Sequence, residues 1–197
     1  MFVQVIRGRL GDHGALLAAL DRWDTELRAV ADGFLGYTAG ATRDDQFVLV
    51  VRFADEKAAR RNSEREEQDT WWAATQEAFA GPVTFFDSSD VDLSMGGGSD
   101  DAGFVQVLIG QGERHAAREF LAHGEEVLRR ERPDIIGGIT AWRDDGSFVD
   151  VAYFRSEAEA RDGEAKELSP EGRALFDQLA AVMPVREYLD VPLPRFG

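Results

Sequence analysis

The sequence predicts an α+β protein built from two copies of one repeat, whose elements follow the order β-α-β-β-α-β. Three observations support this class. The tetrapeptide FVQV stands at residues 2–5 and again at residues 104–107 of the 197-residue chain. Identical residues continue in the same order through both halves, interrupted by two one-residue shifts. Each half also shows the same succession of strand-like and helix-like patterns. A period of about 100 residues is far longer than a solenoid repeat, so a duplicated domain is predicted.

The predicted copies occupy residues 1–91 and 104–197, and a linker covers 92–103. The linker reads DLSMGGGSDDAG, and such mixtures of Gly, Ser and Asp form flexible, solvated connections. A glycine run can also hold a phosphate group, but that loop needs a strand before it and a helix after it. Here a strand is predicted to follow, so we interpret the segment as a linker.

The elements of the first copy follow from its local patterns. Residues 2–9 are rich in Phe, Val and Ile, which favours a strand. Asp12 is expected to cap a helix in which Leu16 and Leu20 belong to an apolar stripe. A tight turn, RDDQ at 43–46, is expected before the third strand. The corresponding turn of the second copy, DDGS at 144–147, carries the clearer hairpin signal. The other predicted elements are strands within 32–43, 46–54 and 83–91 and helices at 55–62 and 66–80. This order is the ferredoxin-like plan.

The third strand, QFVLVVRFA at 46–54, is apolar at both odd and even positions. A sheet with one solvated face should instead alternate apolar and polar residues. Both faces are therefore expected to be covered, and the natural cover for the second face is the other copy. The sequence thus predicts that the two antiparallel sheets pack together as an intramolecular α+β barrel, a pseudo-dimer within one chain. Further homodimerisation is left open.

Composition narrows the classes of partner. The formal net charge is −15, and so acidic a surface repels phosphate backbones and anionic lipids. No nucleic-acid or membrane partner is expected. The chain has no cysteine, which excludes disulfides and thiolate metal sites and favours a cytoplasmic location. The N-terminus begins with a strand-like pattern and lacks the apolar block of a signal peptide.

The stretch DGFLGYTAGATRDDQFVLVVRFADEKAARR, at 32–61, resembles the dimeric α+β barrel superfamily, specifically the antibiotic biosynthesis monooxygenase-like domains. Those domains enter the second strand through a "PGF-x-G" motif and continue through a hairpin to a strand followed by a helix. In that family two subunits usually close the barrel, so this chain resembles a tandem, fused version. The resemblance implies a cofactor-independent monooxygenase-like protein and covers both repeats.

Gln4 and Gln106 are the sharpest polar candidates, because each interrupts an apolar strand at the same place in its copy. A buried amide needs hydrogen-bond partners. Two interpretations remain open: a donor that polarises a ligand carbonyl in each cavity, or a structural bond across the barrel that both copies retain.

Aromatic and basic residues on the predicted elements supply the remaining candidates. Trp71 and Trp72 are adjacent on a helix and point about 100° apart, so one is expected in the core and the other at a cavity rim. Core or subunit packing is the alternative to stacking on a substrate. Further candidates for lining the two cavities are Arg7, Tyr37, Arg52, Trp142 and Tyr153. Mixed aromatic and polar walls suit a planar or phenolic ligand.

No metal or cofactor is expected. His13 and His115 occupy equivalent helix starts and His123 replaces an arginine, so all three are expected at the surface. Paired histidine spacing and a late-helix histidine for haem are absent, as are the common nucleophile motifs. Two functions remain open. One is oxygenation of a small aromatic or polyketide-type molecule, and the other is a non-catalytic small-molecule-binding or stress-associated protein.

Overall fold

The computed structural model describes residues 1–197, which form two compact units. The first comprises residues 1–89 with 195–197, and the second comprises residues 90–194. Along the chain the strands are β1 (Phe2–Arg9), β2 (Phe34–Ala41), β3 (Gln46–Phe53), β4 (Thr84–Ser88), β5 (Asp90–Ser94), β6 (Phe104–Gln111), β7 (Ile135–Trp142), β8 (Ser147–Phe154), β9 (Val185–Pro192) and β10 (Arg195–Phe196). The helices are α1 (His13–Arg22), α2 (Glu56–Ser63), α3 (Glu66–Gln76), α4 (Arg114–Glu131), α5 (Glu157–Ala165) and α6 (Pro170–Val182).

Each unit contains one five-stranded antiparallel sheet. The strand order is β10-β2-β3-β1-β4 in the first unit and β5-β7-β8-β6-β9 in the second. The central strands of both sheets follow the ferredoxin-like order, which confirms the predicted α+β class and the duplication. No helix combines the length and apolarity that crossing a bilayer requires.

Local sequence signals explain where the elements begin and turn. The Asp12 carboxylate accepts a hydrogen bond from the backbone N–H of Ala15 at 2.9 Å, which confirms the predicted cap of α1. The predicted hairpin before β8 turns at Gly146, whose φ of 81° suits glycine. In the DGFLG stretch, β2 carries a bulge before Gly36, whose φ is 131°. Other residues are strained at this φ, so the bulge favours glycine there.

Both sheets have one strand more than the four predicted for each repeat. The predicted strand at 83–91 is two strands: β4 pairs with β1, whereas β5 pairs with β7. Residues 92–94, which the sequence assigned to the linker, therefore belong to β5, and the boundary between units follows Ser89. At the other end of the chain, β10 pairs with β2.

The pairing of β5 with β7 is accompanied by ion pairs to α4. Asp90 and Asp92 form ion pairs with Arg118 of α4, and Asp90 also pairs with Arg114. The first sheet has the opposite arrangement, because Arg195 of β10 pairs with Asp21 and with Asp24, in the π-helical turn after α1. Each edge strand therefore carries the charge that its neighbouring helical segment attracts.

Both faces of β3 are buried, as the run of apolar residues predicted. Phe47, Leu49 and Phe53 belong to the core beneath the helices. On the opposite face, Val48 and Val50 are 2% and 1% exposed. Closure of the two sheets into one barrel stays a prediction.

Candidate ligand-binding site

The first unit holds a cavity of about 270 Å³ between its sheet and helices α1–α3. Strand alternation places one side-chain row of β1, β2 and β3 on this face. The cavity is mostly apolar with a few polar groups, the usual composition of a small-molecule site. Its lining residues are Gln4, Ile6, Leu20, Trp23, Phe34, Tyr37, Leu49, Val51, Phe53, Asn62, Ser63, Gln68, Asp69, Trp71, Trp72 and Phe85.

Aromatic rings form much of the wall. The ring centroids of Trp23 lie 4.7 Å from Phe34 and 6.5 Å from Trp71. Trp72 lies 6.1 Å from Trp71 and 5.5 Å from Phe85 at the more exposed end. These tilted and edge-to-face contacts are favourable aromatic geometries, and they give the cavity flat, rigid surfaces.

Amide groups occupy the end of the cavity beside α2 and α3. The indole N–H of Trp23 donates to Gln68 Oε1 at 2.9 Å, which leaves the Gln68 NH₂ group free to donate elsewhere. The Asn62 side-chain oxygen accepts from Arg65 Nη1 at 3.3 Å, so the NH₂ group of Asn62 is likewise left as a donor. Asp69 is the only carboxylate among the lining residues, and it is exposed. This end of the cavity therefore offers hydrogen-bond donors.

A second polar group lies behind Tyr37. Its hydroxyl donates to Asp24 Oδ2 at 2.8 Å and accepts from Arg195 Nε at 3.0 Å. Arg195 Nη2 also donates to Asp24 Oδ2 at 2.6 Å. Burial and the bond to Asp24 raise the pKa of Tyr37 to about 12, against a lowering influence of Arg195. Tyr37 is therefore a neutral phenol in the cavity wall at physiological pH.

Four of the nine predicted site residues line this cavity: Gln4, Tyr37, Trp71 and Trp72. Trp71 is 5% exposed and donates to the Ala19 carbonyl at 2.7 Å, whereas Trp72 is half-buried. This division matches the expected core and rim positions, although both rings contact the same cavity.

The two predicted glutamines have equivalent partners. Gln4 Nε2 donates to Asp87 at 2.9 Å on the neighbouring strand, and Gln106 Nε2 donates to Asp190 at 3.0 Å. The same cross-strand amide–carboxylate bond thus occurs in both units. These bonds join neighbouring strands of one sheet rather than crossing a barrel as predicted, and the interpretation of each glutamine as a ligand donor stays a prediction; Gln4 also lines the cavity.

The other predicted residues lie elsewhere. Arg7 and Arg52 alternate with the cavity row on β1 and β3, so they belong to the opposite face and do not line the cavity. Tyr153 is the equivalent of Arg52 in the second unit and is fully buried. Trp142 packs against Phe148, with ring centroids 5.1 Å apart, in the core of that unit.

The equivalent face of the second unit is built differently. Gly124 and Gly138 stand where the first copy has Trp23 and Tyr37. The Leu175 side chain occupies the space beside Gly124, so a side chain there would collide with it. Asp150 replaces Leu49, and its carboxylate accepts from Thr140 Oγ1 at 2.6 Å. Burial raises the pKa of Asp150 to about 6.

Sequence reasoning missed several cavity residues. Trp23 was not among the predicted site residues, because its spacing from Leu16 and Leu20 fits the apolar stripe of the first helix. Asn62 and Gln68 lie on predicted helices, but no periodicity distinguishes them from surface residues. No group of three or more His, Asp or Glu side chains is arranged to hold a metal ion.

Comparisons with known proteins identify the fold. No protein-family model matches the chain, and no curated protein matches it. A solved structure from Fusobacterium nucleatum, named "putative monooxygenase", matches with a TM-score of 0.73 and 10% identity, over 99% of this chain and 93% of its own. A Lactobacillus acidophilus protein of the same name has a TM-score of 0.70 and 10% identity, over 96% and 92%.

A third solved structure, of an "anthrone oxidase-like protein", matches with a TM-score of 0.65 and 12% identity, over 99% of this chain and 93% of its own. At these identities the likeness concerns the fold. The chain therefore has, over nearly its full length, the fold of proteins named for monooxygenase-like activity, as its resemblance to tandem antibiotic biosynthesis monooxygenase-like domains predicted.

Proposed function

We propose that the first unit binds a small planar aromatic molecule of phenolic or polyketide type and that the chain oxygenates it without a cofactor. The observation that carries this proposal is the 270 Å³ cavity, which combines aromatic walls with amide donors at one end. The names of the solved structures with this fold point to the same class of reaction.

The walls and the polar end suit different parts of such a ligand. The rings of Trp23, Trp71 and Trp72 can contact the faces and edges of a planar aromatic system. The NH₂ groups of Gln68 and Asn62 can then donate to a ligand carbonyl or hydroxyl oxygen. This combination selects an aromatic body with an oxygen at one end.

The proposed reaction balances without an external reductant. The ligand, written SH₂, reacts with O₂ to give S=O and H₂O. A proton leaves an acidic C–H group, the resulting carbanion or enolate donates electrons to O₂, and a C–O bond forms to a peroxide. Loss of water from that peroxide leaves a carbonyl. The ligand supplies all the electrons, so no flavin, haem or metal is needed.

In this reaction the amide donors would stabilise charge on the ligand oxygen. Hydrogen-bond donors held in an apolar, water-poor site stabilise an enolate more strongly than water does. Asp69 is the lining carboxylate that could receive the proton. An exposed carboxylate is a weak base, so we expect substrates whose C–H group is itself acidic.

The alternative is a non-catalytic small-molecule-binding protein, such as a stress-associated one. A specific observation favours it: the cavity wall contains no buried carboxylate or histidine that could act as a strong base. Tyr37 is held as a neutral phenol and also cannot serve as that base.

Thermal-shift and calorimetric titration with phenols, naphthols, anthrones, quinones and haem, followed by oxygen-electrode measurements, distinguishes the two functions. We expect an anthrone or naphthol to bind and to drive oxygen uptake. Gln68→Leu should reduce both, whereas Trp142→Phe, in the core of the second unit, should change neither. Binding without oxygen uptake would support the non-catalytic alternative, and the absence of aromatic binding would contradict the oxygenase proposal.

A further inference from the structure

Four oxidisable aromatic side chains of the first unit form a continuous series, which we call the aromatic chain: Trp72, Trp71, Trp23 and Tyr37. Successive ring centroids are separated by 6.1, 6.5 and 6.1 Å. The series runs from half-buried Trp72 to rings that are 5%, 5% and 2% exposed. Single electrons move readily between rings this close, because electronic coupling falls steeply with separation.

Hydrogen bonding differs between the two ends of the aromatic chain. The indole N–H groups of Trp71 and Trp23 donate to amide oxygens, those of Ala19 and Gln68. Amide oxygens are very weak bases, so an oxidised tryptophan in these positions has no group to take its proton. The Tyr37 hydroxyl instead donates to the Asp24 carboxylate at 2.8 Å.

An oxidised phenol is strongly acidic, and a carboxylate within hydrogen-bond distance can accept its proton directly. Asp24 Oδ1 is buried and has no hydrogen-bond partner, which leaves this carboxylate with unused capacity to accept. Arg195 contacts both Tyr37 and Asp24 and fixes their relative geometry. An oxidising equivalent that enters the aromatic chain should therefore settle on Tyr37.

The duplication shows that the fold does not require the aromatic chain. In the second unit Gly124 and Gly138 stand where the first unit has Trp23 and Tyr37, and the helix that corresponds to α3, α6, contains no tryptophan. The same order of central strands is built there without any of the four rings. Packing in the core therefore does not by itself account for the series.

We propose that Tyr37 is a redox-active tyrosine, connected through Trp23 and Trp71 to an electron-exchange point at Trp72. A one-electron oxidant at the surface takes an electron from Trp72 and is reduced. Electrons then pass from Trp71 to Trp72, from Trp23 to Trp71 and from Tyr37 to Trp23. The Tyr37 phenol proton moves to Asp24, so the products are a neutral tyrosyl radical and a protonated carboxyl group. This activity does not depend on the ligand proposed above.

Flash photolysis tests the proposal in the full-length protein. A photogenerated ruthenium(III) tris-bipyridine complex serves as the oxidant, and transient absorption with freeze-quench electron paramagnetic resonance identifies the radical. All samples carry Tyr188→Phe, because Tyr188 is 61% exposed and would be oxidised directly. The remaining tyrosines are then Tyr37 and Tyr153.

We expect a tyrosyl radical in this background and a tryptophan radical without a tyrosyl signal in Tyr37→Phe. Trp71→Phe, which keeps a ring but removes an oxidisable one, should lower the tyrosyl yield to the Tyr37→Phe level. Asp24→Asn should do the same, because it removes the proton acceptor. Trp142→Phe, the matched control in the second unit, should leave the yield unchanged. A tyrosyl radical that survives Tyr37→Phe, or an unchanged yield in Trp71→Phe, would overturn the proposal.

Discussion

Replacing Asp150 with asparagine should stabilise the protein at neutral pH. The side chain occupies the position that Leu49 fills in the other copy, on the helix-facing side of β8. Thr140 Oγ1 donates to it at 2.6 Å, and no arginine or lysine forms an ion pair with it. Folding therefore half-buries a carboxylate, with one hydrogen bond to offset part of its lost hydration.

The size and direction of the effect follow from the pKa. Burial raises the pKa of Asp150 from 3.8 to about 6, which corresponds to about 3 kcal/mol at most between the ionised and protonated forms. Because the folded pKa is the higher one, the folded state binds more protons than the unfolded state between about pH 4 and pH 6. The free energy of unfolding is therefore highest, as far as Asp150 is concerned, below that window, where the side chain is protonated. It falls as the pH rises through the window and the half-buried carboxyl group ionises.

Urea unfolding followed by tryptophan fluorescence, at about pH 4 and about pH 7, measures this difference. The free energy of unfolding of Asp150→Asn minus that of the wild type should grow by up to about 3 kcal/mol between the two values. Exposed Asp162, replaced by asparagine, is the control and should show no such growth. A difference that stays constant, or shrinks as the pH rises, would refute the reasoning.

Three further changes test other parts of the structure. Arg118→Gln removes the cation that pairs with Asp90 and Asp92, so amide hydrogen exchange in β5 should accelerate; unchanged protection would contradict the ion-pair account of that strand. Arg195→Gln should destabilise the first unit by about 1–3 kcal/mol in urea unfolding, because it removes charged hydrogen bonds, and an unaltered midpoint would count against this. Gln4→Leu should cost about 1 kcal/mol through loss of its bond to Asp87, and a stabilised variant would show that this bond contributes nothing.

Much of the fold could be predicted because its signals are periodic and local. The strand-forming runs of Phe, Val and Ile, the cap at Asp12 and the turn at Gly146 each depend on a few neighbouring residues, and all three are confirmed. The strand β5 could not be predicted in the same way. Its polar sequence resembles a linker, and it becomes a strand through pairing with β7 and ion pairs with α4.

The site could be predicted where the alternation of side chains along a strand decides which residues face the cavity. Gln4 and Tyr37 were singled out from their strands, and both line the cavity. Arg7 and Arg52 have the other parity, so alternation alone separates them from this cavity. Arg195 could not be connected with Tyr37, because a two-residue strand far along the chain has no recognisable pattern.

Oxygen-isotope labelling of a turnover reaction tests the proposed function most directly. The purified protein is supplied with a bound anthrone or naphthol under isotopically heavy oxygen gas, and the product is analysed by mass spectrometry. The account predicts a carbonyl product that contains one heavy oxygen atom, with the second atom recovered in water. A ligand that binds in the cavity of the first unit and is recovered unchanged would contradict the oxygenase proposal.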